Sequence, residues 1–358
     1  MYVESLALKD FRNYASLDLK LDPGTNILWG DNAQGKTNIL EALYLCATSK
    51  SHRGSRDHEM IRFGCSECHI RSILHKENVR HRIDLHLRRG KAKGIALEGS
   101  PIRRSGQLFG MLNIVCFSPE DLSMVKNGPA LRRHFIDMEL CQLNGVYLHD
   151  LSSYNKAVNQ RNSLLKQIAN DRTLADTLDV WDQQLVRYGK GLIGERKKFI
   201  EFLGQLAAPI HARISGGREE LKLMYAPSVS EEEFEQKLFL LRDSDLRTKS
   251  TSAGPHRDDM IFQINGTDVR KFGSQGQQRT AALSLKLAEI ELMKRQTGDK
   301  PVLLLDDVLS ELDSRRQKDL LDSISDVQTI ITCTGIDEFL ERNVDIGSMH
   351  RVVNGTVD

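Results

Sequence analysis

Gly30-Asp31-Asn32-Ala33-Gln34-Gly35-Lys36-Thr37 is the stretch on which the fold of this chain turns. It fits G-x-x-x-x-G-K-[ST], a loop in which glycines let backbone N–H groups curl around an anion. In such a loop Lys36 would neutralise the β- and γ-phosphates of a nucleotide, and Thr37 would offer its hydroxyl to Mg²⁺. The surroundings agree. Asn26-Ile27-Leu28-Trp29 reads as a short apolar strand in front of the loop. A helix is expected from Thr37 to about Ser49, adding its dipole and unpaired N–H groups to the anion site. The competing reading is a glycine-rich turn with a surface lysine.

A second element belongs with the first. Pro301-Val302-Leu303-Leu304-Leu305-Asp306-Asp307 is an apolar run ending in two carboxylates. A buried strand that delivers an acid at its C-terminal end suits a Walker B element, with Asp306 reaching the Mg²⁺ shell. Asp307 then stands where a general base would orient an attacking water. Many strands end in aspartate, so this signal gains its force from the loop at residues 30–37. Most of the chain lies between the two, far more than a minimal nucleotide-binding core needs.

Phe272-Gly273-Ser274-Gln275-Gly276-Gln277-Gln278-Arg279 opens a helix expected at about 276–296, just ahead of the acid-tipped strand. Ser274 can cap that helix, and its hydroxyl with nearby N–H groups would form a second anion site. An ordinary helix cap after a glycine turn is the alternative. The order of anion site, helix, apolar strand and acids resembles that of the ABC and SMC ATPases. In that class the corresponding signature, here Ser274, Gln275, Gly276 and Gln277, touches the terminal phosphate held by the other subunit. Ser310-Glu311-Leu312-Asp313 follows the acids as the D-loop of that class does.

The remaining pattern divides the chain. Strand-like alternation (Leu17, Leu19, Leu21) and glycine turns fill the first third, and Asn113-Ile114-Val115-Cys116-Phe117 reads as a buried strand. From Asn127-Gly128-Pro129 the periodicity becomes helical, with long helices expected around 130–170 and 174–213. Asn265-Gly266 marks a hairpin. The expected fold is α/β: an ABC-type ATPase head with a mixed or parallel sheet, helices and N-terminal antiparallel strands, joined to a smaller helical second domain. The head would take residues 1–122 and 218–358, and the inserted helical domain residues 123–217.

Hydrophobic residues make up 40% and charged residues 28%, a globular balance. Lys+Arg and Asp+Glu stand at 50 against 49, so a nucleic acid would have to be met by a local basic face. Arg88-Arg89-Gly90-Lys91-Ala92-Lys93, Arg103-Arg104, Arg132-Arg133 and Arg196-Lys197-Lys198 are such clusters, or else solvated surface charge. The N-terminal residues lack the features of a signal peptide, and no apolar stretch nears the roughly 20 residues of a membrane span. A cytoplasmic protein with no membrane partner and reduced thiols is expected. Cys65-Ser66-Glu67-Cys68-His69 matches a haem-attachment or half-zinc pattern. Without an export signal or a second ligand pair it reads as an accident of a strand whose inner face carries Cys68, Ile70, Ser72 and Leu74.

Further stretches stand out: Phe11-Arg12-Asn13-Tyr14, residues 30–43 (GDNAQGKTNILEAL), Phe117 to Leu122 (FSPEDL) and Gly128 to Arg133 (GPALRR). Gly254 to Asp259 (GPHRDD), Ser274 to Arg279 and Leu305 to Asp313 follow in order. By these stretches the chain resembles the RecF family of bacterial DNA replication and repair proteins, and the resemblance spans essentially its whole length. It implies ATP and Mg²⁺ as cofactors and an ATP-dependent homodimer. It further implies binding of double-stranded DNA near single-strand gap junctions, a weak DNA-stimulated ATPase used mainly as a switch, and help to RecR and RecO in loading RecA. A transporter ATPase subunit or an SMC-like chromosome-organising protein is the alternative. Some positions depart from the wider class: Asp307 replaces its glutamate, Thr332 its switch histidine, and FSPEDL has no glutamine. Arg12 and Asn13 either approach the nucleotide or form a strand-end turn. For His256 and Arg257 the family match supplies no mechanism.

Overall fold

A computed structural model describes residues 1–122, 124–335 and 345–358. Two compact units emerge, one made of residues 1–123 and 282–358 and the other of residues 124–281. Among the described residues no helix is long and apolar enough to cross a membrane.

The first unit contains two sheets. One is antiparallel throughout, in the order β2-β1-β4-β5-β6-β7, from β1 (Tyr2–Phe11), β2 (Tyr14–Lys20), β4 (Glu67–Lys76), β5 (Val79–Arg88), β6 (Gly94–Leu97) and β7 (Ser100–Pro101). The other runs β15-β14-β3-β13-β12-β8, where β3 is Thr25–Trp29, β8 Ile114–Phe117, β12 Val302–Asp306, β13 Thr329–Cys333, β14 Ile346–Val353 and β15 Thr356–Val357. Its central pairings, β14 with β3, β3 with β13, β13 with β12 and β12 with β8, are all parallel. Every residue of β12 and β13 is buried, as the continuous apolar runs Val302-Leu303-Leu304-Leu305 and Ile330-Ile331 require of parallel strands covered on both faces. Helix α1 (Lys36–Thr48) touches β4 and β5 of one sheet and β12 and β13 of the other. Ile39, Leu40, Ala42, Leu43, Leu45, Cys46 and Ala47 are fully buried, so α1 is a core helix, apolar nearly all round. Helices α2 (Pro119–Leu122) and α9 (Ser314–Ser323) complete the unit with most of α8 (Gln275–Thr297).

The second unit gathers α3 (Pro129–Leu143), α4 (Gly145–Ile168), α5 (Leu178–Ser215), α6 (Phe234–Thr248) and the short α7 (Val269–Phe272). A three-stranded antiparallel sheet, β11-β10-β9, lies with them (β9 Leu221–Ala226, β10 Asp259–Ile264, β11 Thr267–Asp268). Two expectations need correcting. The stretch at 130–170 is two helices, because Asn144 turns the chain and its side chain caps α4 by accepting from the N–H groups of Val146 and Tyr147 at 2.9 and 3.2 Å. Residues 218–281, expected with the head, group with the inserted helices instead. The physical cause is that β9 packs along α5, which directly precedes it.

Buried guanidinium groups tie this second unit together. Arg161 has a fully buried side chain; its Nε donates to Asp182 at 2.6 Å, and its Nη1 to Asp245 at 2.7 Å and Thr251 at 3.0 Å. Leu164, Leu165, Ile168 and Leu178 form an apolar cluster a turn further along. Removing one partner of a buried pair strands the other charge away from water. Asp245→Ala should therefore lower the unfolding free energy by about 3–5 kcal/mol, read as a shift in urea midpoint. A loss below about 1 kcal/mol would show that the arginine finds another acid or water.

Candidate functional site

The sheet order sets the geometry of the candidate site. β13 lies between β3, which leads into residues 30–37, and β12, which ends at Asp306. In register, Thr332 sits opposite Leu28 on one side and Asp306 on the other. The start of α1 and the end of β12 are thereby brought together, and the Thr37 hydroxyl donates to Asp306 Oδ1 at 2.8 Å. The Thr332 hydroxyl donates to the same oxygen at 3.0 Å and accepts from the Asp307 N–H at 2.9 Å. A threonine at this position thus links both acids.

Burial alone would raise the Asp306 carboxyl, but His52, Thr37 and Thr332 outweigh it and hold the group below the usual carboxylate range. Asp307 goes the other way. Burial raises it, Lys36 opposes that, and the neighbouring Asp306 and Glu311 add to the rise. Two adjacent carboxylates pushed in opposite directions are suited to different tasks, one as a standing anion and the other as a proton acceptor. Asp307 also adopts φ 52°, a left-handed backbone conformation that costs a non-glycine residue energy and marks a constrained turn.

The loop at 30–37 is braced from three directions. The Lys36 ammonium donates to the carbonyls of Gly30 at 2.6 Å and Asp31 at 2.8 Å, inside the curve of its own loop. Burial pulls the Lys36 amine below its ordinary value, against the pull of Asp307 and the other acids nearby. Asn13 Nδ2 donates to the Gln34 carbonyl at 2.8 Å, Asn38 Nδ2 donates to Asn13 Oδ1 at 2.8 Å, and the Tyr14 hydroxyl donates to the Gly35 carbonyl at 3.1 Å. From the β14–β15 hairpin, the N–H groups of Asn354 and Gly355 donate to Gln34 Oε1 at 2.7 Å and Gln34 O at 3.1 Å. Gly35 has φ 119°, and a Cβ there would stand 2.6 Å from Asn13 Nδ2 and 2.9 Å from the Tyr14 hydroxyl. The glycine is required by both space and backbone.

Phe11-Arg12-Asn13-Tyr14 therefore braces the loop. Arg12 itself reaches back to α1, its Nε and Nη2 each 2.7 Å from the fully buried Glu41 carboxylate. Ser51 donates to the same carboxylate at 2.5 Å.

His52 is the residue that sequence reasoning missed. Its side chain is 92% buried, as its 8% exposure shows, with Nε2 at 3.8 Å from Asp306 Oδ2. Among the described residues neither ring nitrogen has a hydrogen-bond partner, and the ring meets Tyr44 edge-on. No spacing links residue 52 to residue 306, so only the fold reveals the pairing.

Ser274 and Gln277 form a capping box at the start of α8, in the second unit. Ser274 Oγ accepts from the Gln277 N–H at 3.2 Å, and Gln277 Oε1 accepts from the Ser274 N–H at 2.9 Å. Ser274 and Gln275 are exposed, and Gly276 and Gln277 half-buried. Asp313 caps α9, accepting from the Arg316 N–H at 3.0 Å, while the Ser310 hydroxyl donates to the Asp307 carbonyl at 2.7 Å.

Several charged residues have structural work instead. His256 lies between the Tyr154 hydroxyl at 2.7 Å and the Thr251 carbonyl at 3.0 Å, and burial depresses its imidazole. Since a carbonyl only accepts, Nε2 carries the proton and Nδ1 accepts from Tyr154. Arg257 donates to the same carbonyl at 3.0 Å. Asp258 receives Arg196 at 3.2 Å, the Tyr225 hydroxyl and the Ser228 N–H at 2.8 Å. Asp259 receives Arg132 through two bonds of 2.6 and 2.9 Å. Arg132 and Arg196 are buried, so neither offers its charge to a DNA backbone. Arg89, Lys91, Arg103, Arg104, Lys197 and Lys198 remain exposed.

An antiparallel sheet and a parallel sheet around one buried helix, with a phosphate-loop motif against an acid-tipped strand, define an ATPase head of the ABC and SMC class. Residues 2–356 match the family described as RecF/RecN/SMC N terminal domain. The DNA replication and repair protein RecF of Lachnoclostridium phytofermentans is 58% identical, covering 100% of this chain and 99% of that protein. RecF of Agathobacter rectalis is 56% identical over the same shares. Among solved structures, the recombination mediator protein RecF-ATP in the RecFOR pathway aligns with TM-score 0.93 at 35% identity, covering 100% of this chain and 97% of that one. An SmcHead bound to the C-winged helix domain of ScpA aligns at 0.59 and 16% identity over 100% and 96%, a likeness of fold alone. The chain belongs to the RecF family.

The Arg12–Glu41 pair supplies a test of the bracing. Burial would raise Glu41, but Arg12 and Ser51 overcome this and hold it low. A depressed carboxyl contributes stability above its unfolded pKa of about 4.3, and that stability is lost as pH falls through the folded value. Arg12→Ala should cost about 3 kcal/mol at neutral pH and flatten the acid side of the stability profile. Unchanged denaturation curves from neutral pH to the acid limb would show that the pair does not hold the fold.

Proposed function

We propose that the chain binds Mg·ATP at residues 30–37 and uses it as a switch for dimerisation on DNA. The observation that carries this reading is the junction of Thr37, Asp306 and Thr332, with Lys36 seated inside the loop. Gly30, Asp31, Asn32, Ala33, Gln34 and Gly35 would present N–H groups to the phosphates, and Lys36 would exchange its carbonyl partners for them. Thr37 and Asp306 are a hydroxyl and a carboxylate 2.8 Å apart, an oxygen donor set that suits Mg²⁺. The imidazole of His52, 3.8 Å from Asp306 and not hydrogen-bonded through either ring nitrogen among the described residues, fits the same assignment, because the water shell of a cation would offer it polar partners. When bound, Mg·ATP supplies the terminal phosphate whose transfer to water resets the switch. Asp307 orients that water. As an aspartate it is one methylene shorter than the glutamate of the wider class, which favours slow turnover.

Closure needs a second copy. Ser274, Gln275, Gly276 and Gln277 of each chain would meet the phosphate held by the other, and Asp313 would line the same seam. The solved relative is described as a recombination mediator in the RecFOR pathway. Carried over to this chain, that role means binding double-stranded DNA at gap junctions and acting with RecR and RecO to load RecA in the cytoplasm.

Two substitutions separate binding from closure. Lys36→Glu should weaken a fluorescent ATP analogue by more than the roughly hundredfold expected for losing a charged hydrogen bond. Normal affinity in that variant would remove the nucleotide assignment. Ser274→Arg should leave nucleotide affinity intact yet remain a monomer by light scattering with Mg·ATP and gapped DNA. An ATP-dependent dimer of Ser274→Arg would mean that closure does not use this turn.

A further inference from the structure

The Cys65-Ser66-Glu67-Cys68-His69 pattern read as an accident in the sequence, yet β4 makes part of it into something else. Strand alternation turns Cys68 into the core, fully buried, and sends Glu67 and His69 to the opposite, exposed face. On β5, His86 is the direct cross-strand partner of His69. The two imidazoles stack with centroids 3.9 Å apart and planes 21° from parallel. His86 Nε2 lies 2.9 Å from Glu67 Oε2, and His69 Nε2 lies 4.0 Å from Glu67 Oε1. One ligand atom from each of the three residues falls within 4.8 Å of the others.

We infer that Glu67, His69 and His86 form a surface site for a divalent transition-metal ion of the zinc class, one that shares no residue with the candidate nucleotide site. Two imidazoles and a carboxylate are the donor set that Zn²⁺ takes when a fourth position is left to water. Tetrahedral Zn²⁺ with bonds of about 2.0–2.1 Å places its ligand atoms roughly 3.4 Å apart, and because an imidazole binds an ion in its own plane, the stacked rings must rotate apart for both nitrogens to converge on it. Binding replaces the His86–Glu67 hydrogen bond with two metal bonds. Both histidines also border a cavity of about 430 Å³ on this face of the sheet, which leaves room for water or a small anion on the open position. Soft or borderline ions are preferred over Mg²⁺, since imidazole is a poor ligand for a hard cation. A bound ion would pin β4 to β5 across their direct pair.

The full-length chain, with Mg²⁺ in excess and a thiol-free reductant, would be titrated with Zn²⁺ by calorimetry and with Co²⁺ by visible absorption. One ion per chain is expected, with a rise in melting temperature on Zn²⁺ addition. His69→Ala and His86→Ala should each weaken binding by about tenfold or more and abolish the thermal shift. Cys65→Ser should change neither, and all three positions are outside the core, so folding is checked by the apo melting curve. Failure of the wild-type chain to take up Zn²⁺ overturns the site. Equal affinity in both histidine variants, or loss of binding in Cys65→Ser, does so as well.

Discussion

The hydrogen bond from Thr37 to Asp306 joins residues 269 positions apart, and the candidate site exists only where that closure holds. Closing a flexible loop of this length costs about 5 kcal/mol in chain entropy, whereas one such bond contributes about 1 kcal/mol net. The bond therefore reports the closure and does not cause it. The cause is the pairing of β3, β13 and β12, whose apolar side chains are buried on both faces. Once Leu28, Thr332 and Asp306 are in register, the end of one strand must face the loop that follows another. The inserted second unit is tolerated because closure cost grows only slowly with loop length.

Charge is used in two ways in this chain. In the first unit the Lys36 ammonium is held by carbonyls of its own loop, Asp306 by two threonine hydroxyls, and among the described residues neither nitrogen of His52 has a hydrogen-bond partner. In the second unit Arg132, Arg161 and Arg196 are sunk among aspartates and carbonyls that take up most of their donors. The first arrangement is ready to exchange partners with an anion and a cation. The second is costly to disturb and specifies how helices and strands meet. The Gly254 to Asp259 stretch belongs to this second group: His256, Asp258 and Asp259 each hold a different neighbour in place.

These two uses look alike in a sequence. Arg132-Arg133 and Arg196-Lys197-Lys198 read as basic clusters, yet the arginine that begins each is buried and its neighbour is not. Helical phase separates them, and phase is set by which face of α3 or α5 packs inward. The loop at 30–37, the strand ending at Asp306 and the helix at 275–297 were legible because local patterns encode them: glycine spacing, an apolar run and a capping residue. The break at Asn144 was encoded too, as a strong capping residue, but it was hidden within a continuous helical periodicity. The placement of residues 218–281 was not legible, because strands β9 and β10 carry the same alternation whichever layer they join. His52 was beyond reach for a different reason: its partner is supplied by a strand more than half the chain away.

The same limit governs the cysteine-containing stretch at 65–69. Read along the chain, Cys65, Cys68 and His69 are the metal-like residues and Glu67 is filler. Read across the sheet, a period of two removes Cys68 to the core and joins Glu67 to His69, and the antiparallel register adds His86. A slip of one residue between β4 and β5 would place His69 opposite Leu85 or Leu87 and dissolve the cluster. Buried Ile70, Leu74, Ile83, Leu85 and Leu87 forbid that slip, since it would turn their face of the strand outward. The apolar face that gives the sheet its stability is thus what fixes three polar side chains within reach of a single ion on the other face.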